Sequence, residues 1–292
     1  KILANLVYSQ IKVHQPYGGV VPNLAKREHQ KNLIPMLQLA LKEARLEKNK
    51  RKNQKIKLPA SKIQVLENLL LKDEILKQNL LSFFQTIDKP KIDLIAVTKG
   101  PGLAPALWPG VNCARALSYF WHIPLLGINH LEAHILSNWL PKEKNQWTTL
   151  QITQNLFPAT DLIISGGHTQ LVLIKKIGCY RLIGETRDDA AGECFDKTAR
   201  LLGLSYPGGP AIAAEAKKTK KLPPSSFSIS LPRPMINQKN YDFSFAGLKT
   251  AVLYLVEDLK KQKVSLNLIR PFLAAEIQNS INEVLVSKTI RL

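Results

Sequence analysis

The sequence predicts an α/β protein, because runs typical of buried strands alternate with helical patterns along most of its 292 residues. Turns rich in glycine and proline separate these runs, as at residues 100–102 and 206–210. Hydrophobic residues make up 45% of the chain, which excludes wholesale disorder and allows a substantial core. A chain of this length holds one large domain or two medium ones.

The N-terminal part is predicted to be a strand followed by a long helix. Apolar residues recur among polar ones over residues 2–13, and a Tyr-Gly-Gly turn signal follows at 17–19. From Pro22 to Leu41 the apolar residues recur at helical spacing. Residues 42–62 hold nine basic residues against two acidic ones, as in a solvated insertion, and residues 63–86 recover a helical pattern.

Two strands flank a helix in the middle of the chain. Ile92–Thr98 is typical of a buried strand, and a Gly-Pro-Gly turn follows it. Ala104–Trp121 fits a helix, although Pro109 must distort that helix or delay its start. Ile123–Ile128 is a second short strand.

The second half begins with a hairpin and continues with helices. Asp161–Ser165 and Thr169–Lys175 are predicted to pair around a Gly-Gly turn. A helix over Arg187–Leu204 is broken by Pro-Gly-Gly-Pro, and two helical patterns complete the chain at Leu248–Lys261 and Phe272–Lys288.

The formal charge is +19, from 41 Lys and Arg against 22 Asp and Glu. Nucleic-acid binding is one explanation of this charge, and a lysine-rich composition is the other.

Three cysteines without CxxC spacing argue against a disulfide framework and a Cys-rich zinc site, so we expect a reducing, cytoplasmic setting. No apolar run approaches the ~18 residues of a membrane span. Because the chain starts without Met inside a structured pattern, we expect a fragment lacking both ends.

His130 and His134 lie four residues apart and can bind one metal ion, since on a helix they share a face one turn apart. Glu132 points away from that face, unlike the general base of HExxH zinc proteases. Two ordinary helix histidines are the alternative explanation, and a metal site needs a further ligand.

Three further features can bind a nucleotide. Backbone N–H groups of the Ser-Gly-Gly turn at 165–167 can approach phosphate, although an ordinary hairpin turn is the simpler explanation. Asp196 can accept hydrogen bonds from ribose hydroxyls, and the backbone of residues 207–210 would lie close to the same ligand. Asp188 or Asp189 is expected to cap the helix that follows.

Seven motifs taken in order closely resemble the TsaD family, the tRNA threonylcarbamoyladenosine transferases formerly described as O-sialoglycoprotein endopeptidases. They are GGVVPNLAKREH, GPGL, NHLEAH, ISGGHTQLVL, DDAAGECFDKTARLLGLSYPGGP, LPRPM and DFSFAGLKTA. The resemblance runs from residue 2 to about residue 285, interrupted by an insertion around 42–90.

The resemblance implies a two-lobed fold of the actin/sugar-kinase/Hsp70 type, with residues 1–127 in the first lobe and 128–292 forming part of the second. It implies transfer of threonylcarbamoyl from threonylcarbamoyl-AMP to the adenosine 3′ of the anticodon, in tRNAs that read codons starting with A. Partners implied are tRNA, a paralogous dimerisation subunit (TsaB-like) and a small ATPase (TsaE-like), with no membrane.

The resemblance also assigns site residues. His130 and His134 would bind one divalent metal ion, with Fe²⁺ expected and Zn²⁺ as the alternative, and the third ligand would be an aspartate beyond Leu292. No residue is assigned as a catalytic base. The nucleotide contacts would be Ile163, Ile164, Ser165, Gly166, Gly167, Asp196 and Gly209. A metalloprotease, an ATP-binding kinase-like protein and an inactive scaffold subunit are the rival hypotheses.

Overall fold

The computed structural model describes residues 2–46, 56–71, 73–140, 156–219 and 229–292. The chain divides into two compact units. Unit 1 comprises Lys1–Val13 and Val20–Gln151, and unit 2 comprises His14–Gly19 and Ile152–Leu292. Both units contain helices and strands, so the predicted α/β class is confirmed.

The predicted strand over residues 2–13 is wrong. Residues 2–10 form no regular element, and a single helical turn, α1 (Ile11–His14), runs into a 3-10 turn at Gln15–Tyr17. None of the strands in the described residues pairs with this segment, and without a ladder Leu3, Val7 and Ile11 are left exposed, Val7 at 86%.

Four helices of unit 1 surround its core. They are α2 (Pro22–Glu43), α3 (Ala60–Leu69), α4 (Glu74–Thr86) and α5 (Ala104–Trp121). The helix predicted from Pro22 is confirmed, and α5 has the predicted bounds. Pro109 lies buried inside α5, so it does not delay the start of that helix.

The core of unit 1 draws heavily on the segment between residues 42 and 90. Both α3 and α4 lie in this segment, and together they bury Leu66, Leu76, Leu80, Phe83 and Phe84. The side chain of Lys62 donates to the carbonyl of Phe120 at 2.9 Å, which fastens α3 to α5. The most basic stretch, residues 47–55, lies outside the described residues.

Two parallel strands, β1 (Ile95–Gly100) and β2 (Leu125–Asn129), form the sheet of unit 1. The next helix, α6 (His130–Ser137), begins directly after β2 and packs against both strands. Because of this packing α6 belongs to unit 1, and the unit boundary falls after Gln151, whereas the sequence prediction put it after residue 127.

Unit 2 contains an antiparallel sheet of β3 (Ala159–Ile164), β4 (Thr169–Lys176) and β5 (Cys179–Glu185) in that order. The predicted hairpin is β3–β4, and it is confirmed. Strand β5 was not predicted, because its short pattern alternates weakly and contains Gly184.

Four helices complete unit 2. They are α7 (Ala191–Leu201), α8 (Gly208–Ala216), α9 (Ala246–Lys261) and α10 (Leu266–Ile290). The Pro-Gly-Gly-Pro segment was expected to break a helix, and it also starts α8, since proline and glycine are both tolerated in a first turn. The sheet and helices bury one hydrophobic core that includes Phe243 and Phe245, and Lys288 is also buried. Among the described residues, no helix has the length and apolar character needed to cross a membrane.

Candidate functional site

His130 and His134 meet at the start of α6. Their Nε2 atoms lie 3.0 Å apart, and the ring centroids are 4.6 Å apart. The Nδ1 atom of His130 lies 3.0 Å from the carbonyl oxygen of Pro101. Because a carbonyl oxygen only accepts, this contact requires the His130 proton on Nδ1, and the lone pair of Nε2 then faces His134.

A strand end and a helix cap hold this pair in place. Asn129 ends β2 and caps α6, its side-chain oxygen accepting the N–H groups of Leu131 and Glu132 at 2.9 and 3.1 Å. Since β1 and β2 are parallel, the loop after β1 that carries Pro101 lies at the same sheet edge as the start of α6. The Pro101 carbonyl that contacts His130 and the Asn129 cap that starts α6 therefore lie at adjacent strand ends.

The histidine pair fits a metal ion. Two imidazole nitrogens bound to one ion at ~2.0–2.1 Å stand about 3 Å apart, as the Nε2 atoms do here. A carbonyl on the opposite nitrogen is the usual outer partner of a metal-binding histidine. Among the described residues no third His, Cys, Asp or Glu joins the pair into a group of metal-binding composition.

In unit 2, the glycine turn between β3 and β4 is closed by its own serine. Ser165 Oγ accepts the N–H groups of Gly167 and His168 at 3.3 and 3.0 Å, and the Ser165 N–H donates to the His168 carbonyl at 2.8 Å. A Cβ built on Gly166 or Gly167 meets no atom within 4 Å. The turn is therefore a fixed shape with an open outer face.

Asp196 lies on α7 and faces the start of α8. Its Oδ1 accepts the backbone N–H of Gly208 at 2.7 Å. Burial raises the pKa of Asp196 above its usual range; the hydrogen bond from Gly208 opposes this rise, and the charge of Glu193 adds to it. Gly209, the next residue of α8, has open space where a Cβ would be.

A cavity of about 280 Å³ opens beside Asp196. Arg200, one turn further along α7, lines it together with Tyr206 from the connection to α8. The segment Gln15–Gly18 forms another wall, and residues 14–19 belong to unit 2. Sequence reasoning singled out Asp196 but gave no signal for this N-terminal wall.

The expectation that Asp188 or Asp189 caps α7 is wrong. Asp188 binds the start of α9, where its carboxylate accepts the N–H groups of Phe245 and Ala246 at 2.7 and 3.1 Å and the hydroxyl of Ser244 at 2.5 Å. Burial raises the pKa of Asp188, but these hydrogen bonds outweigh it and hold the pKa below its usual range. Asp189 pairs with Lys197 at 2.7 Å.

The described structure thus brings the predicted residues together in two groups. His130 and His134 are joined in unit 1. In unit 2 the glycine turn packs on the first turn of α7, where Gly192 N–H donates to the Ser165 carbonyl at 3.2 Å. That contact was not predicted. The one sequence feature that pointed to it is the glycine at position 192, and the structure shows why a glycine is needed there: a Cβ would lie 2.5 Å from the Ser165 carbonyl oxygen.

Comparison with known proteins gives one family. The sequence profile of TsaD, tRNA N6-adenosine threonylcarbamoyltransferase, matches residues 1–52 and 73–292. The unmatched residues, 53–72, include all of α3.

Curated relatives of this chain carry the same name as the matching family. A tRNA N6-adenosine threonylcarbamoyltransferase of Thermomicrobium roseum is 40% identical over 99% of this chain and 70% of its own length. Proteins of the same name from Anoxybacillus flavithermus and Bacillus thuringiensis (strain Al Hakam) are 39% and 40% identical, over 99% and 100% of this chain and 67% of their own lengths. The chain therefore spans about two thirds of the length of these relatives, and it belongs to the TsaD family of tRNA N6-adenosine threonylcarbamoyltransferases.

Proposed function

We propose that this protein transfers a threonylcarbamoyl group from threonylcarbamoyl-AMP to the exocyclic amine of the adenosine 3′ of the anticodon. The tRNAs modified would be those that read codons starting with A. The observation that carries the proposal is the paired imidazoles of the NHLEAH motif, held 3.0 Å apart in a chain whose profile is that of the transferase family. The family match supports this activity and not the protease or kinase-like alternatives.

His130 and His134 would hold the metal ion, Fe²⁺ by family resemblance or Zn²⁺ by ligand type. The third ligand we place beyond Leu292. When bound, a divalent ion with open positions polarises a carbonyl oxygen of the acyl donor. The Pro101 carbonyl would keep His130 in the tautomer that leaves Nε2 available.

The residues of unit 2 would bind the AMP portion of the donor. We place the phosphate against the outer face of the turn at Gly166. A Cβ built on Gly166 meets no atom of the described structure within 4 Å, so this face is open to a ligand. Asp196, with one oxygen held by Gly208, would accept a ribose hydroxyl on the other. Gly209 would let the backbone of α8 approach the nucleoside.

These residues bind and orient the donor and do not move a proton. The adenosine amine is a weak nucleophile, so an activated acyl donor contributes more than a strong base. The N–H groups of Gly167 and His168 already donate to Ser165 Oγ, so the backbone N–H of Gly166 is the one that would stabilise the charge of AMP as it leaves. We assign no general base in the described residues.

The wider assembly follows from the same proposal. We propose the two-lobed actin/sugar-kinase/Hsp70 fold for the whole protein, with a paralogous dimerisation subunit and a small ATPase as partners. A separate enzyme would supply the adenylate. Since the substrate is tRNA, we place the protein in the cytoplasm.

The test is a transfer assay with the full-length protein, its partners, unmodified tRNA and the adenylate carrying labelled threonine. His130→Ala combined with His134→Ala should remove transfer and reduce the bound metal. His122→Asn is the matched control, because His122 is an exposed histidine outside the pair and its left-handed backbone suits asparagine. Full transfer by the double variant would contradict the assignment of the histidines.

A further inference from the structure

Thr169 joins the glycine turn of unit 2 to helix α7. It is the first residue of β4, directly after the turn, and it is fully buried. Its Oγ1 accepts the backbone N–H of Ala191, the first residue of α7, at 2.8 Å. Its carbonyl accepts the N–H of Thr186 at 2.9 Å, so the backbone of Thr169 is itself held by the residue that follows β5.

A second contact lies beside the first. The Gly192 N–H donates to the Ser165 carbonyl at 3.2 Å, and a Cβ on Gly192 would lie 2.5 Å from that oxygen and 2.9 Å from the Gly166 nitrogen. The first turn of α7 therefore touches the backbone of the glycine turn, with no room for a side chain between them.

The same helix carries Asp196. Gly192 and Asp196 are four residues apart, which places them on one face of α7, one turn from each other. Any shift of the first turn of α7 away from the glycine turn moves Asp196 with it, because the helix is a rigid element. The spacing between the turn and the Asp196 carboxylate is therefore set at Ala191 and Gly192.

We propose that Thr169 is a positioning residue for nucleotide binding: its hydroxyl fixes the distance between the glycine turn and Asp196. The proposal rests on the proposed function, which places phosphate at the turn and ribose at Asp196. Removing the hydroxyl leaves the Ala191 N–H buried without an acceptor, and α7 then shifts to find one. A displaced helix holds one end of the nucleotide correctly and misplaces the other.

The experiment measures AMP binding to the full-length protein by isothermal titration calorimetry, with melting temperature recorded for each variant. Thr169→Val keeps the shape and removes the hydroxyl, and it should weaken AMP binding about tenfold, a loss of about 1.4 kcal/mol. Thr169→Ser restores the acceptor and should bind AMP within about twofold of the natural protein.

Thr198→Val is the matched control. Thr198 is also fully buried and lies on α7, but its hydroxyl donates to the carbonyl of Cys194 within the same helix at 2.7 Å. It should lower the melting temperature and leave AMP affinity unchanged. Equal loss of affinity in Thr198→Val and Thr169→Val would reduce Thr169 to a general contributor to folding and overturn the proposal.

Two further variants complete the design. If Thr169→Val does not fold, Gly192→Ala separates the same two elements from the helix side and should weaken AMP binding in the same way. Asp196→Ala tests the nucleotide site itself. Loss of binding in Asp196→Ala with normal binding in Thr169→Val and Gly192→Ala overturns only the positioning role. Normal AMP binding in Asp196→Ala overturns the proposed nucleotide site and the positioning role with it.

Discussion

Asp196 and Gly208 tie α7 to α8 at a point where no side chain fits between them. The carboxylate accepts the Gly208 N–H at 2.7 Å, and a Cβ on Gly208 would lie 2.5 Å from the Asp196 Cα atom and from the Phe195 oxygen. The start of α8 is therefore positioned by the same residue that we place at the ribose. The Asp196 side chain therefore has two roles: it holds α7 against α8, and it is the residue that we propose contacts the ribose.

Substitutions at Gly208 and Gly209, the first two residues of α8, should affect protein stability and AMP binding separately. Gly208→Ala should destabilise the protein by about 1–3 kcal/mol, because both close atoms are backbone and the helices must move apart. Gly209→Ala should fold with unchanged stability, since its Cβ meets open space, yet bind AMP more weakly. Urea unfolding and AMP calorimetry measure the two effects. Equal stability of the two variants would contradict the close approach at Gly208.

Asp188 should contribute stability that depends on pH. Its pKa is lowered in the folded state, so the folded protein favours the carboxylate, and this stabilisation is present above about pH 4 and lost as the pH falls through the lowered pKa. Asp188→Ala should cost about 1 kcal/mol at pH 7, the usual effect of removing a helix cap. The difference from the natural protein should shrink steadily in urea titrations below pH 4.

An exposed aspartate provides the control for Asp188. Asp258 lies near the end of α9 and pairs with Lys261 at 3.6 Å, with 62% of its side chain exposed. Asp258→Ala should change stability little at any pH, because exposed pairs of this kind contribute little. A constant Asp188→Ala difference from pH 7 to pH 3 would show that packing, and not charge, explains the loss.

Long elements with regular apolar spacing were predictable from this sequence, and contacts between distant segments were not. The bounds of α5 follow from its own pattern, between a glycine turn and His122, which takes the left-handed conformation at the helix end. The carboxylates of Asp188 and Asp189 look like a cap for the helix that follows them. Asp188 instead caps α9, more than fifty residues later in the chain, and local spacing carries no information about that partner.

The histidine pair was predictable in part. Four-residue spacing places two imidazoles on one helical face, and α6 bears this out. The carbonyl of Pro101 that selects the His130 tautomer was not predictable, since it depends on the parallel pairing of β1 with β2. The same limit explains the error over residues 2–13, where apolar residues recur among polar ones but pair with no strand of the described residues.

Asn129 should control the histidine pair through the start of α6. Asn129→Ala removes the acceptor for two backbone N–H groups and should cost about 1 kcal/mol, together with a weaker Zn²⁺ affinity measured against a competing chelator. Asn129→Asp keeps a capping oxygen and should preserve both properties. Unchanged zinc affinity in Asn129→Ala would show that the imidazoles are held independently of the cap.

The basic stretch outside the described residues offers a test of tRNA binding. Replacing Lys50, Arg51 and Lys52 by Gln should weaken tRNA binding and lower the slope of log affinity against log salt by up to about 2. Binding of the adenylate should not change. The charge-matched control replaces Lys260, Lys261 and Lys263 by Gln at the exposed end of α9. Equal losses from the two sets would make overall charge, and not this stretch, the cause.

The separate cores of the two units have a consequence for synthesis on the ribosome. Among the described residues, the buried members of the unit 1 core all lie between Ile34 and Ile123, whereas the unit 2 core needs residues from Leu171 through to Leu285. At roughly 5–20 residues per second, synthesis from Ile123 to the end of α10 takes about 8–30 s, so the first core is complete well before α10 has emerged. Slowing translation between the units should therefore leave unit 1 able to fold on the nascent chain, while unit 2 waits for α10.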